Sequence, residues 1–357
     1  MTTWGYTLSS EEHPARQLID NARRAEKLGF DFVSVSDHYH PWIGRQGHSP
    51  FVWSTVGGVA ATTERVGVGV GVSCPIVRIH PAIVAQAAAT SASLMPDRFF
   101  LGVGTGEALN EHITGAAWPR IEIRQQMLEE AVSIIRQLWT GDNVDFDGRF
   151  FQVDNARLYT RPSVAPPLIV SAFGEQAADL AARIGDGMWT SGPAKEVVDQ
   201  FHRSGGKGPV IGQVSFCWDT DADRARKTAY ETWPNKAVPG QLSQDLPTPS
   251  HFEQACELVT EETIAKLTPC GPDVGPIVDL IERYRDAGVT HLYLHQIGPD
   301  QDAFFRLWES TLAPRLEAAP TRDGPISNDR RAIDMDAPGN SVLDYSSPSV
   351  AEPNEPA

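Results

Sequence analysis

The sequence predicts an α/β chain whose parallel strands close into a (β/α)8 TIM-like barrel with insertions. Short apolar, β-branched runs alternate with helical patterns along most of the 357 residues. Strands this uniformly apolar are buried on both faces, as in a parallel sheet covered by helices. About eight strand–helix units can be traced, the number that closes such a barrel. An open doubly wound sheet is the alternative. Against it, no Gly-x-Gly-x-x-Gly follows the first strand, and the later half repeats the pattern without a boundary.

Trp4 to Leu8 reads as the first strand, and His13 to Leu28 as an amphipathic helix with Leu18, Ala22, Ala25 and Leu28 on one face. Phe30 to Ser36, a helix near Phe51 to Thr62, Val66 to Val72 and a helix from Pro81 to Leu94 follow. Next come Phe99 to Val103 and a helix from Ile121 to Leu138. The later strands are Leu168 to Ala172, Met188 to Thr190, Val210 to Cys217 and His291 to Gln296. Helices are expected at Gln176 to Ile184, Lys195 to His202, Ala222 to Thr232, Asp273 to Ala287 and Asp302 to Leu312.

Two segments break the rhythm and read as insertions, near residues 140–165 and 236–262. The first holds a hairpin over Asp145 to Val153 with a turn at Asp147-Gly148. The second, with its prolines and mixed polar sequence, reads as an insertion or lid. Residues 1–319 therefore form the barrel domain. From about Pro320 the chain is rich in Pro, Ser, Asp and Asn, so residues 320–357 are expected to be a disordered tail.

The formal charge of −16 argues against nonspecific nucleic-acid binding and against an anionic membrane surface. Cys74, Cys217, Cys256 and Cys270 are widely spaced and form no Cys-x-x-Cys pair, which reads as buried thiols with no metal site. The N-terminus shows no signal peptide and no apolar run has membrane-spanning length, so a cytoplasmic protein is expected.

A barrel carries its site on the loops that follow the strands. The second strand ends in Ser36-Asp37-His38-Tyr39-His40-Pro41-Trp42, and the third in Gly71-Val72-Ser73-Cys74. The fourth runs through Arg98-Phe99-Phe100-Leu101 into Gly102-Val103-Gly104-Thr105-Gly106-Glu107-Ala108-Leu109-Asn110-Glu111. Its alternate glycines allow a flat ligand close to the backbone. Ser171-Ala172-Phe173-Gly174 and Trp189-Thr190-Ser191-Gly192 end the fifth and sixth. Each residue also has a plain reading: Asp37 as a helix cap, His38 as a structural hydrogen-bonder, Trp42 as packing, Glu107 as a surface charge.

Ser-Asp-His-x-x-Pro-Trp after the second strand and the Gly-Val-Gly-Thr-Gly-Glu-Ala-Leu-Asn-Glu segment together resemble the F420-dependent glucose-6-phosphate dehydrogenase group of the luciferase-like superfamily. Arg136 to Gly141, Val144 to Gly148 and Ala182 to Gly187 fit the same group. The resemblance covers about Tyr6 to Leu316. It implies a luciferase-like barrel and the deazaflavin coenzyme F420 across its mouth, with hydride transfer between an alcohol or carbonyl carbon and C5 of the cofactor.

The resemblance makes His38, Glu107 and Trp42 the catalytic residues. Cofactor contacts fall on Asp37, Gly71, Val72, Cys74, Gly104, Thr105, Gly106, Asn110, Ser171, Ala172, Phe173 and Gly174. The third strand is expected to end in a bulge with a non-prolyl cis peptide at Gly71 and Val72. His38 accepts the substrate hydroxyl proton and Glu107 protonates the deazaflavin ring, while Trp42 holds the substrate face. A homodimer is also implied.

The substrate side departs from that group. The lysine of the group's Thr-Ser-Gly-Lys segment is replaced by Pro193, a second basic position matches Lys266, and the third falls near the neutral Thr290. A phosphate dianion needs several charge-assisted donors, so glucose 6-phosphate is not expected; Thr190 and Lys266 remain as substrate contacts, and Lys195 compensates only if the loop rearranges. Trp189 and Phe173 point to a more apolar pocket. The alternatives are an FMN-dependent luciferase-like monooxygenase, a sugar-phosphate dehydrogenase with an altered phosphate site, and a non-catalytic cofactor carrier.

Overall fold

In the computed structural model, residues 2–317 are described. The chain begins β1 (Thr3–Leu8), α1 (Ala15–Lys27), β2 (Phe32–Val35), α2 (Val52–Ala60), β3 (Gly67–Ser73), α3 (Pro81–Leu94) and β4 (Phe99–Val103). It continues with α4 (Ala108–Glu111), α5 (Ile121–Thr140), β5 (Val144–Asp147), β6 (Gln152–Ala156), β7 (Leu168–Ser171), α6 (Glu175–Ile184) and β8 (Gly187–Thr190). Then come α7 (Lys195–Arg203), β9 (Val210–Phe216), α8 (Ala222–Thr232), α9 (Leu242–Asp245), α10 (Pro249–Ala255) and α11 (Glu261–Leu267). Last are α12 (Gly275–Asp286), β10 (His291–Gln296), α13 (Gln301–Leu307) and α14 (Ala313–Glu317).

The expected barrel is present. Its closed order is β1-β10-β9-β8-β7-β4-β3-β2, and every neighbouring pair is parallel. Closure sets Thr3 of β1 against His291 of β10, so the two ends of the domain share one edge. Helix α1 buries Leu18, Ala22 and Ala25 as its periodicity requires. The expected helix from Asp302 extends further, through a wider turn at Trp308–Leu312 into α14.

Aromatic rings fill the barrel interior: Phe32, Phe100, Trp189 and Tyr293 pack with Ile169 and Ile211. The alternating glycines of β3 face these rings. A Cβ on Gly69 would lie 2.2 Å from the Phe100 ring, and one on Gly71 would lie 2.5 Å from Trp189. Trp189 is therefore barrel core, its indole N–H donating to the Tyr293 hydroxyl at 2.8 Å. The apolar pocket wall expected of Trp189 is not there.

The hairpin lies outside the barrel, and its turn is wider than the expected Asp147-Gly148 pair. Strand pairing ends at Asp147 with Gln152. The Glu130 carboxylate accepts N–H bonds from Arg149, Phe150 and Phe151 and holds the loop open. The second insertion is a chain of short helices, α9 to α11, flanked by a 3-10 turn at Pro234–Ala237. Among the described residues no helix is long and apolar enough to cross a membrane. The expected disordered tail lies outside the described residues.

Candidate active site

The strand-end residues gather at one rim, and their side chains divide into engaged and open groups. Asp37, following β2, is engaged. Its carboxylate accepts from the Ser73 hydroxyl and from Arg78 Nη2, the latter at 2.8 Å. Arg78 also reaches Glu111, through its backbone N–H at 2.6 Å and its Nε at 3.4 Å. This buried Asp37–Arg78–Glu111 chain ties the ends of β2 and β3 to α4.

Two carboxylates thus share one guanidinium. Burial lifts the Glu111 carboxyl to about 7, and Arg78 only partly offsets it. Burial disfavours the Arg78 charge as well, but Asp37 and Glu111 outweigh it and raise the group above its ordinary value. The guanidinium side chain is spent mainly on Asp37, the closer partner. Asp37 therefore supports the rim through its carboxylate.

Asn110 in α4 braces the loop after β2. Its Oδ1 accepts from the N–H groups of Tyr39 at 2.9 Å and His40 at 3.3 Å, while its Nδ2 is buried without a partner. His38 Nδ1 lies 3.2 Å from the His40 carbonyl and 3.6 Å from Glu11 Oε1. A carbonyl only accepts, so Nδ1 donates there, and among the described residues Nε2 has no hydrogen-bond partner. The Trp42 ring sits 5.1 Å from the His38 ring and meets Phe252 of α10 edge-on.

Glu107 stands at the start of α4, half-buried, and its side chain makes no capping bond. Among the described residues its carboxylate has no hydrogen bond or ion pair. Gly106 before it takes φ +71°, and a Cβ there would strike the Cys74 sulfur at 2.5 Å. That close approach explains Gly106 and places the buried Cys74 thiol beneath the loop. The carbonyls of Thr105 and Gly106 both accept from Arg124, a fully buried side chain. The register of β3 slips between Val70 and Ser73, and the Gly71–Val72 peptide is cis, as expected.

Around β7 and β8 the rim is open. Phe173 is 56% exposed, and a Cβ at Gly174 or Gly192 would meet no atom within 4 Å. Ser171 is half-buried and Ala172 buried. Gly104 lies against Val72 and Ser171. The Thr190 hydroxyl is buried and turned to the Gly192 carbonyl.

The expected basic positions are not brought to the rim as free charges. Lys266 is exposed and paired with Glu262 at 2.7 Å, and Lys195 is exposed and paired with Asp199. Thr290 precedes β10, on the face opposite the rim, where its hydroxyl bonds the Val210 backbone.

Sequence reasoning missed the arc where β10 and β1 end. Glu12 accepts from Trp233 Nε1 at 2.7 Å, His295 Nε2 at 2.8 Å and the Gly298 N–H at 2.7 Å. Burial alone would raise the Glu12 carboxyl, but the bond and charge of His295, helped by His13 and Gly298, hold it below its ordinary value. Glu11 accepts from Ser36 at 2.8 Å and lies beside His38. The available signal was the polar run Ser9-Ser10-Glu11-Glu12-His13 directly after the first strand.

The second insertion is fastened across this rim. Glu253 accepts from the Gly44 N–H and Arg124 donates to Gln244, while just before the insertion Gln46 donates to the Thr232 carbonyl. Trp42 packs there with Val238, Phe252 and Cys256. All four cysteines are free thiols, with Cys270 only partly buried.

A family model described as luciferase-like monooxygenase matches residues 2–291. The F420-dependent glucose-6-phosphate dehydrogenase of Nocardia farcinica is 37% identical over 329 residues, 88% of this chain and 98% of that protein. The enzyme of the same name from Mycobacterium tuberculosis is 36% identical over 327 residues, 87% of this chain and 97% of that one. An F420-dependent secondary alcohol dehydrogenase, solved with an F420–acetone adduct, superposes with a TM-score of 0.80 at 33% identity, covering 86% of this chain and 97% of that one. An F420-dependent tetrahydromethanopterin reductase from Methanopyrus kandleri shares the fold, with a TM-score of 0.71 at 21% identity and coverage of 88% and 99%. The chain belongs to the luciferase-like family, within the group that resembles the F420-dependent glucose-6-phosphate dehydrogenases.

Proposed function

We propose that this chain is an F420-dependent oxidoreductase that interconverts an alcohol and its carbonyl partner. The observation that carries the reading is the set of open groups at one rim: the bare Nε2 of His38, Trp42 beside it, and the unengaged carboxylate of Glu107. Bound F420 supplies the hydride acceptor or donor at C5, a chemistry that side chains lack. The residues fit such a group. Asn110 presents a buried amide donor without a partner, and the space over Gly174 and Gly192 is open.

In this reading the ends of β3, β4 and β7 hold the cofactor. His38 Nε2 takes the hydroxyl proton of the alcohol, and Glu11, 3.6 Å from Nδ1, balances the charge the ring then carries. Glu107 holds a proton for the cofactor's ring nitrogen. Trp42, backed by Phe252, closes the substrate face. The name of the alcohol dehydrogenase among its relatives supports an alcohol substrate. The tied-off Lys195 and Lys266 weigh against glucose 6-phosphate.

Titrating the cofactor-free protein separately with F420 and FMN tests the reading. F420 binding with little FMN binding is expected; tight FMN binding without F420 binding overturns it. The reading also includes a cytoplasmic homodimer, and light scattering on the full chain checks the dimer.

A further inference from the structure

Arg124 is a buried cation that the proposed chemistry does not use. It stands in the first turn of α5, and its side chain is fully buried. Among the described residues it forms no ion pair, and its Nε has no hydrogen-bond partner. Loss of water, the lack of a paired carboxylate and the positive end of a helix all oppose a charge there. Burial accordingly draws the guanidinium below its ordinary value, although Asp245 and, more weakly, Glu107 favour the charge.

What surrounds it is a cage of neutral groups. Nη1 donates to the carbonyls of Thr105, at 3.3 Å, and Gly106, at 3.0 Å. Nη2 donates to Gln244 Oε1 at 3.1 Å, and the guanidinium carbon lies 4.2 Å from the centre of the Trp118 ring. Trp118 in turn donates from Nε1 to Asp245 at 3.2 Å.

The two carbonyls belong to the peptide groups on either side of Gly106. A peptide group is planar, so holding its oxygen orients the whole plane. Gly106 has φ +71° and no side chain to restrict it, which makes it the freest joint of the turn. Arg124 pins both planes about that joint. The second plane carries the backbone nitrogen of Glu107, whose own side chain makes no capping bond. On its other side the guanidinium meets the insertion, since Gln244 and Asp245 both belong to α9.

We propose that Arg124 is a positioning residue that fixes the Gly106 turn so that Glu107 faces the cofactor, and that α9 of the insertion reinforces this hold through Gln244. This rests on the F420-dependent reading, in which Glu107 holds a proton for the cofactor ring. The hold depends on a planar fork that reaches three acceptors at once, which a lysine ammonium lacks.

The test has two arms, and the first needs no cofactor. Hydrogen–deuterium exchange of the full chain is compared in wild type, Arg124→Met and Gln244→Ala. Both variants should speed exchange over residues 104–111, where the N–H groups of Gly104, Asn110 and Glu111 are bonded to carbonyls. The effect of Arg124→Met should be the larger. Arg124→Lys, which keeps the cation without the fork, stands in should Arg124→Met fail to fold. An effect of Gln244→Ala confined to α9 overturns the part given to the insertion. Exchange over 104–111 that is unchanged in the Arg124 variant overturns the proposal.

The second arm measures turnover of 2-propanol at saturating F420. The Arg124 variant should lower kcat on the order of 10- to 100-fold, as a small misplacement of a reacting group does, with KM for the alcohol nearly unchanged. In a Glu107→Gln background the same substitution should lower kcat no further, because the group it positions is gone. A loss that persists undiminished in that background, or a change confined to KM, contradicts the assignment. Failure of F420 to bind wild type would instead sink the parent reading and leave the exchange arm to judge the hold of Arg124 on the turn.

Discussion

Glu107 and Glu12 stand on different arcs of one rim, and they are legible to very different degrees. The arc from β2 to β4 is written in two contiguous motifs, so its open carboxylate is apparent once the strands are numbered. The arc from β9 through β10 to β1 is assembled from residues such as Glu12 and His295, 283 positions apart in the chain. The first arc is braced by the buried Asp37–Arg78–Glu111 chain and the second by Glu12 with His295 and Trp233. On each, the engaged ions hold the wall, and on the first one unengaged carboxylate is left over. The difference teaches that bracing and chemistry fall to different residues even when both are charged.

The comparison breaks most sharply at the open groups. Glu107→Gln or His38→Ala should lower turnover by about 10²- to 10⁴-fold, the usual worth of a positioned acid or base, with F420 affinity nearly kept. Steady-state rates and a cofactor titration check this. Unchanged turnover in both variants contradicts their roles.

The bracing groups should behave in the opposite way. Arg78→Met leaves Asp37 and Glu111 buried without their cation and should cost about 3–5 kcal/mol of stability, read from the urea midpoint. A smaller effect, visible in pH dependence, follows from Glu111. Folded, it keeps its proton up to about 7, whereas an ordinary carboxyl loses it near 4.5. The folded state therefore binds more protons across that window, so this group's contribution makes stability fall as pH rises from about 4.5 to 7. Glu111→Gln should flatten that slope.

Lys236 gives the converse at higher pH. Its folded value near 8 lies below the ordinary 10.5, so the unfolded chain binds more protons between them. Stability from this group should rise with pH across that interval, and Lys236→Met should remove the rise. The smallest effect is expected of Lys266→Ala, which removes an exposed charge held by Glu262 and should leave turnover unchanged. A loss there would return the phosphate site to consideration.

Much of this fold was readable because parallel strands buried on both faces leave long apolar runs. Phe99–Val103, His291–Gln296, Pro81–Leu94 and Ala222–Thr232 fall where the pattern places them. The errors share a cause. Periodicity and motif matching locate a residue along the chain but not the direction of its side chain. Trp189 ends a strand yet points into the barrel against Gly71. Thr290 lies at the wrong end of β10, and Lys266 turns to its own helix neighbour. Arg78 carried no local signal, since its importance depends on which carboxylates the closed barrel brings near.

The most direct measurement uses 2-propanol deuterated at carbon 2 with oxidised F420 and the full chain. The account predicts deuterium at C5 of the reduced cofactor, a primary isotope effect on the rate when chemistry limits it, and loss of both in His38→Ala. Reduced F420 carrying only solvent hydrogen at C5, or bound F420 that no alcohol reduces, would contradict it.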